Sequence, residues 1–250
     1  MKKRFSRFAL LGLIFMMVVS CTGSKILMQD LARYPQPLGY GLISPVAMTP
    51  KTDSVIVTFT GFPLDSLTTV SQEKCLVLPF IFLNYVDAKY RIKLGSNLMT
   101  QDYNDFFFNA MLDESGRSGE FALCYDSIRG KDKYILEVSL DNCQTETYYF
   151  ESIFLMVYIY GYFSTFSESS FPAQSTITCS TRLRKGDQIV RDSTFTVSTE
   201  LDFPSSNNMS HRVRFERTAG NMVEALCQST RSCITKIVRE VNSTLAAQKR

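Results

Sequence analysis

The sequence predicts an α+β fold: a mixed or antiparallel sheet, with a long C-terminal helix and a shorter helix packed on one face. Three observations predict it. Several separate runs alternate apolar with polar residues, the period of half-buried strands. Near Tyr103 the apolar residues change to a spacing of three and four, and a longer stretch of the same spacing closes the chain. The strands come in runs with helices available for one face, which is the pattern of an α+β sandwich.

The elements follow in order. Residues 22–52 hold Pro35, Pro37, Pro45 and Pro50 and read as an extended tether, with Gly39-Tyr40-Gly41 as loop. The folded domain is expected over 53–250, starting with a strand in which Val55, Val57 and Phe59 share a face. Leu76 to Val86 is β-like but broken by Pro79, which predicts an edge strand or a bulge, and Tyr90, Ile92 and Leu94 extend it. Tyr103, Phe106, Phe107, Ala110, Met111 and Glu114 form a helical stripe, with Thr100 or Asp102 as cap and Gly116 as stop. Phe121 to Tyr125 and Lys133 to Asp141 are strands around a polar turn. Ala173–Arg184 and Gln188–Leu201 pair as a hairpin through Lys185-Gly186-Asp187, where glycine supplies a positive φ. Ala219, Met222, Val223, Leu226, Cys233, Ile234, Ile237, Val238, Val241 and Leu245 form one stripe of a closing helix over 219–245. That stripe faces Arg231, Lys236, Arg239 and Glu240 across the helix, so it packs on a sheet.

The 250 residues are enough for a core without covalent staples. The formal net charge of +3 is concentrated in Lys2, Lys3, Arg4 and Arg7; the remainder is close to neutral and gives no argument for nucleic acid. One histidine, His211, excludes histidine-rich metal sites, and no cofactor is indicated. After Cys21 come Cys75, Cys124, Cys143, Cys179, Cys227 and Cys233, with no CxxC and no zinc-like spacing. Cys227 and Cys233 lie about 9 Å apart along one helix and cannot bridge. Cys143 and Cys179 sit on strand-like segments and are the candidate disulfide if those strands are neighbours; the plain alternative is small buried hydrophobes. No GxSxG elbow serves His211, and Asp113 with Glu114 reads as a solvated helix face. No catalytic residue is assigned. A hydrolase would need several polar groups converging near His211.

Two other features carry more information. Phe150 to Phe166 (FESIFLMVYIYGYFSTF) has no charge between Ile153 and Phe163. It is too short to span a bilayer as a helix, and it is either core or a surface for membrane or partner contact. The contact residues would be Leu155, Tyr158, Ile159, Tyr160, Tyr162 and Phe163. Arg182, Arg184, Lys185 and Arg191, with Arg212, Arg214 and Arg217 further on, form a basic cluster. It reads as a solvated strand face or as a site for anionic lipid or glycan.

Residues 1–20 (MKKRFSRFALLGLIFMMVVS) have the basic start, short apolar run and small final residue of a secretory signal peptide. Val18-Val19-Ser20-Cys21 resembles the lipobox of bacterial lipoproteins. That resemblance implies Cys21 as the first mature residue, carrying a diacylglyceryl thioether and an N-acyl chain such as palmitate. Several acyl chains suffice for stable anchoring, at about 0.8 kcal/mol per buried methylene. Thr22 stands where an inner-membrane retention signal usually places Asp, so the pattern resembles an outer-membrane lipoprotein facing the periplasm. Tyr103–Ser118 with Phe121–Cys124 (YNDFFFNAMLDESGRS, FALC), Lys133–Asp141 and Asn221–Leu245 resemble the helix, strands and closing helix of ABC-type transport auxiliary lipoproteins and of the lipopolysaccharide-assembly lipoprotein. The resemblance implies a lipid-anchored, non-catalytic accessory in envelope transport or assembly, with the membrane and an envelope protein as partners. Metabolic acyl labelling should mark the wild-type chain and be lost in Cys21→Ala; label retained by the variant would contradict the assignment.

Overall fold

In the computed structural model, residues 24–41, 51, 53–79, 83–124, 133–158, 161–201 and 210–249 are described. They form eight strands and three helices in an α+β arrangement: α1 (24–31), β1 (Asp53–Thr60), β2 (Thr69–Pro79), β3 (Leu83–Lys93), α2 (Tyr103–Ser118), β4 (Phe121–Cys124), β5 (Tyr134–Tyr158), β6 (Gly161–Ser170), β7 (Ala173–Lys185), β8 (Gln188–Leu201) and α3 (His211–Gln248). A short 3₁₀ turn, Ser96–Leu98, follows β3.

The strands build one mixed sheet around β5. At 25 residues it is about 80 Å long at ~3.3 Å per residue. No single neighbour matches that length, so β5 changes partners along its course. Its first half, 134–146, runs antiparallel to β7, and 134–139 lie parallel to β1. Its second half lies antiparallel to β3 over 146–156 and to β6 over 149–158. Two half-sheets share this strand: β4-β1-β5-β7-β8 at one end and β2-β3-β5-β6 at the other. Backbone and side-chain bonds close the gaps where partners change. The Leu94 amide donates to the Thr145 carbonyl at 2.9 Å, the Phe171 amide to the Tyr148 carbonyl at 2.9 Å, and the Thr147 hydroxyl to the Phe171 carbonyl at 2.7 Å.

Lys133–Asp141 and the apolar run after Phe150 read as separate segments in the sequence; the structure joins them in one strand. Cys143, Thr145, Thr147 and Tyr149 alternate inward across the join, but two of these are threonines, so the hydrophobic period is interrupted while the strand continues. Thr145 is tolerated in the interior because its hydroxyl donates to the Ser175 hydroxyl at 2.9 Å.

α3 covers the inner face of the first half-sheet. Ala219, Met222, Leu226, Cys233, Ile234 and Ile237 are buried along it, against inward residues such as Ile177, Cys179 and Leu183 of β7. The helix begins eight residues before the expected start, where the Ser210 side chain accepts from the Val213 amide and Phe215 extends the apolar stripe. Its 38 residues make it about 57 Å long. α2 packs beside it: the Tyr103 and Thr230 hydroxyls share a hydrogen bond of 3.0 Å, and Phe107 stacks on Phe59 with centroids 5.5 Å apart. Asp102 caps α2 through the Asn104 and Asp105 amides. Gly116 is passed over, and the helix ends at Gly119.

The outer face of this half is polar. Hydroxyl pairs Thr176–Ser198, Thr178–Thr196 and Ser180–Thr194 line β7 and β8. Their hairpin closes at Gly186 with φ of 58°, as the turn chemistry requires.

The N-terminal tether is corrected in part. Residues 24–31 are helical, and Leu27, Leu31 and Leu38 are buried in the common core, with Gln36 bridging to Met99. The prolines suggest an extended chain, yet Leu27 and Leu31 have the i, i+4 spacing of one helix face. Truncating Ile234 or Ile237 to Ala should cost about 2–5 kcal/mol in chemical denaturation, as both side chains are fully enclosed. A loss below 0.5 kcal/mol at both would contradict this packing.

Candidate interaction surface

The second half-sheet differs from the first in what covers it. Its base is tied to the domain: Tyr90 and Tyr149 are buried at its inner face, and the Tyr149 ring lies 5.7 Å from Phe215 of α3. Burial raises the Tyr90 hydroxyl to about pH 12 and pushes that of Tyr149, beside Glu168, well above its ordinary value. A nearly buried ion pair joins Arg214 of α3 to Glu168 of β6. Removing one partner of such a pair typically costs 3–5 kcal/mol, since the other charge is left buried. Lys89–Glu73 at 3.0 Å and Arg91–Glu146 at 2.6 Å complete a belt of charge, with Lys89 also 4.0 Å above the Tyr148 ring.

Beyond Asp87 the charge stops. Residues 75–79, 83–86, 152–158 and 161–167 include no Asp, Glu, Lys or Arg. Directly paired residues share a face of the sheet. On the face continuing from Tyr149, Ile153 opposes both Val86 and Phe166. On the other, Met156 opposes Leu83 and Phe163, and Phe154 opposes Tyr85. Phe154 and Phe163 meet edge to face with centroids 6.2 Å apart, and Phe150 meets Phe171 at 4.9 Å. Both faces are thus apolar and accessible: Tyr162 is 72% exposed, Phe166 54% and Phe163 50%, with Leu76, Leu78 and Met156 also exposed. A strand run that is apolar on both faces ordinarily lies between two covering layers. Among the described residues, no helix covers this end.

The expected contact residues fall here unevenly. Tyr162 and Phe163 are exposed on β6, and Leu155 is half-buried on β5. Tyr158 ends β5, its side chain outside the described set; Ile159, Tyr160 and Cys21 lie outside the described residues altogether. Met156 and Phe166, within the same uncharged run, belong to this surface too, as do Leu76 and Leu78, which were not singled out from the sequence. The signal for Leu76 and Leu78 was the uncharged stretch on either side of Pro79, which reaches β5 only through β3, a long-range arrangement that one sequence does not reveal.

Two other expectations are revised. Three of the seven cations of the basic cluster are engaged by acids: Arg182 pairs with Asp192 at 2.9 Å, Arg184 with Glu137, and Arg214 with Glu168. The Cys143–Cys179 disulfide is not formed; both thiols are free. The strands are neighbours, but Cys143 opposes Ile177 and Cys179 opposes Leu140. This makes the cysteines diagonal neighbours, typically about 7–8 Å apart and at the limit for a bridge. Elsewhere, Glu114 is buried in α2, where it accepts from the Tyr40 hydroxyl at 3.3 Å and the Ser118 hydroxyl at 2.9 Å. His211 begins α3. Among the described residues no helix is long and apolar enough to cross a membrane, and no group of acids, cysteines and histidine has metal-site geometry.

No protein-family model matches the chain, and no curated protein matches its sequence. Among solved structures, the chain is similar to the crystal structure of protein XCC0632 from Xanthomonas campestris, of family DUF330. The identity is 12% and the TM-score 0.48, covering 86% of this chain and 98% of that one.

Proposed function

We propose that this protein is a lipoprotein of the bacterial outer membrane, anchored through Cys21 on the periplasmic face, and that it is a non-catalytic accessory in envelope transport or assembly. Its working part is the uncharged end of the β2-β3-β5-β6 sheet, which docks against a protein of the envelope. The observation that carries this reading is the combination of two apolar faces with two open edges. β2 pairs only with β3, and β6 only with β5, among the described strands. Immersing this end in lipid would leave the outward amides and carbonyls of both edges without partners, at several kcal/mol per group. A protein can cover the faces and also supply backbone hydrogen bonds by strand addition.

The anchor supports the same reading. Ser24 already belongs to α1, so only Thr22 and Gly23 separate the packed domain from Cys21. The acyl chains then hold the domain close against the membrane surface. The buried carboxylates of Glu114 and Glu168 are engaged by Tyr40 with Ser118 and by Arg214, which suits a structural role for both.

A photo-crosslinking amino acid placed at Tyr162 or Phe166 should give discrete protein adducts in intact cells, and one placed at Thr178, on the polar outer face, should give none. Lipid adducts alone, or equal adducts from all three positions, would overturn the reading.

A further inference from the structure

The two edges of the uncharged half-sheet are not equivalent. β2 carries the features by which edge strands resist pairing. Its register on β3 shifts between Gln72 and Lys74, so Glu73 sits in a bulge beside a second charge, and Pro79 ends the strand without an amide. Between bulge and proline the uncharged run is Cys75, Leu76, Val77 and Leu78, about 13 Å at ~3.3 Å per residue. β6 has none of these features. Its ten residues pair with β5 without a register shift and include no proline, lysine or arginine. Residues 161–167 are uncharged and all exposed, and they span about 23 Å. Glu168, the one acid of the strand, is engaged by Arg214.

The backbone of β6 is oriented to receive a strand. The Phe171 amide donates to the Tyr148 carbonyl of β5, and pairing continues in the same register into β6. Alternate residues of a strand turn their backbone groups to opposite edges. Phe163, Thr165 and Ser167 therefore face β5 with their amides and carbonyls, while Tyr162, Ser164 and Phe166 direct theirs outward. β8 lies along the outer edge of β7 as far as Leu201 opposite Ala173. β6 continues the line of β7 along β5, so a strand added to β6 extends the line of β8.

We propose that β6, and not β2, accepts an extended segment of another envelope protein, which joins the sheet as a further strand. This rests on the docking reading above and adds to it the edge and the chemistry of the partner segment. The segment is uncharged over about seven residues, the length of the exposed run. A charge there would be placed among Tyr162, Phe163 and Phe166, where residues 161–167 offer no opposite charge. Directly opposed residues share a face. Apolar side chains of the segment therefore lie opposite Tyr162 and Phe166 on the face of Ile153, and opposite Phe163 on the face of Met156. Backbone bonds supply the affinity and these alternating side chains the specificity.

The test places a photo-crosslinking amino acid at Tyr162 on β6 or at Leu78 on β2 of the full chain in intact cells. Tyr162 should give a discrete protein adduct, in a yield at least about tenfold above that from Leu78. Ser164→Pro removes one outward amide and leaves the bonds to β5, a change that an edge strand tolerates. It should lower the Tyr162 adduct about tenfold or more, whereas Ser164→Ala should leave it unchanged. Equal adducts from Tyr162 and Leu78, or a Tyr162 adduct that survives Ser164→Pro, overturn the choice of edge and leave the docking reading standing. No protein adduct from either position, or an adduct that is a second copy of this chain, overturns the docking reading and the edge with it. The comparison of Tyr162 with Leu78 requires no proline, so it decides the matter even if Ser164→Pro fails to fold.

Discussion

The backbone of β5 is the constraint on which the rest depends. A strand of 25 residues presents amides and carbonyls on two edges over its whole length, and each buried group must find a partner. β7 and β1 satisfy its first half, and β3 and β6 its second. The partner change near residues 145–149 determines where one half-sheet ends and the other starts. It also aligns them, because inward-facing Cys143, Thr145, Thr147 and Tyr149 keep a single alternation across the junction. The uncharged end is therefore a continuation of the core sheet.

The two halves obey different burial rules. In the first, α3 covers one face and hydroxyl ladders hydrate the other, the usual arrangement for a sheet with one dry side. In the second, the belt formed by Lys89, Glu73, Arg91, Glu146, Arg214 and Glu168 marks where coverage stops. Past it, aromatic and aliphatic side chains occupy both faces, and among the described residues no helix lies above either. Exposed Tyr162, Phe163 and Phe166 contribute nothing to the core. Contiguous exposed apolar area of this kind is characteristic of interaction sites, and the proposed docking role rests on that.

Much of the fold was legible in the sequence because its signals were local. The β7–β8 hairpin announced itself through alternation around Lys185-Gly186-Asp187, and the apolar stripe of α3 identified Ile234 and Ile237 as inward. The run over Leu76–Val86, expected as one strand broken at Pro79, is instead divided there: edge strand β2 ends at Pro79 and β3 returns antiparallel to it. What was not legible depended on distant contacts. The inward threonines of β5 hid its continuity, because each is satisfied by a hydroxyl or carbonyl from β7 or the segment before it. The helix 24–31, which buries Leu27 and Leu31, was masked by the prolines that follow it. Of the candidate surface, the β6 half was visible as an uncharged run, and the β2 half emerged only once Leu76 and Leu78 were placed beside it in the sheet. That Cys143 opposes Ile177 and Cys179 opposes Leu140 was settled by the register of β5 on β7, which is not a property of cysteine spacing.

The central claim is that the edge of β6 is open in the isolated protein and occupied in the envelope. Hydrogen–deuterium exchange over Gly161–Ser170 tests it most directly, comparing the purified chain in detergent with the chain in native membranes. The outward amides of β6 should exchange rapidly in the purified protein and gain protection of at least about tenfold in membranes, while amides of β5 are protected in both. Equal and rapid exchange of β6 in the two preparations, or full protection already in the purified protein, would contradict it.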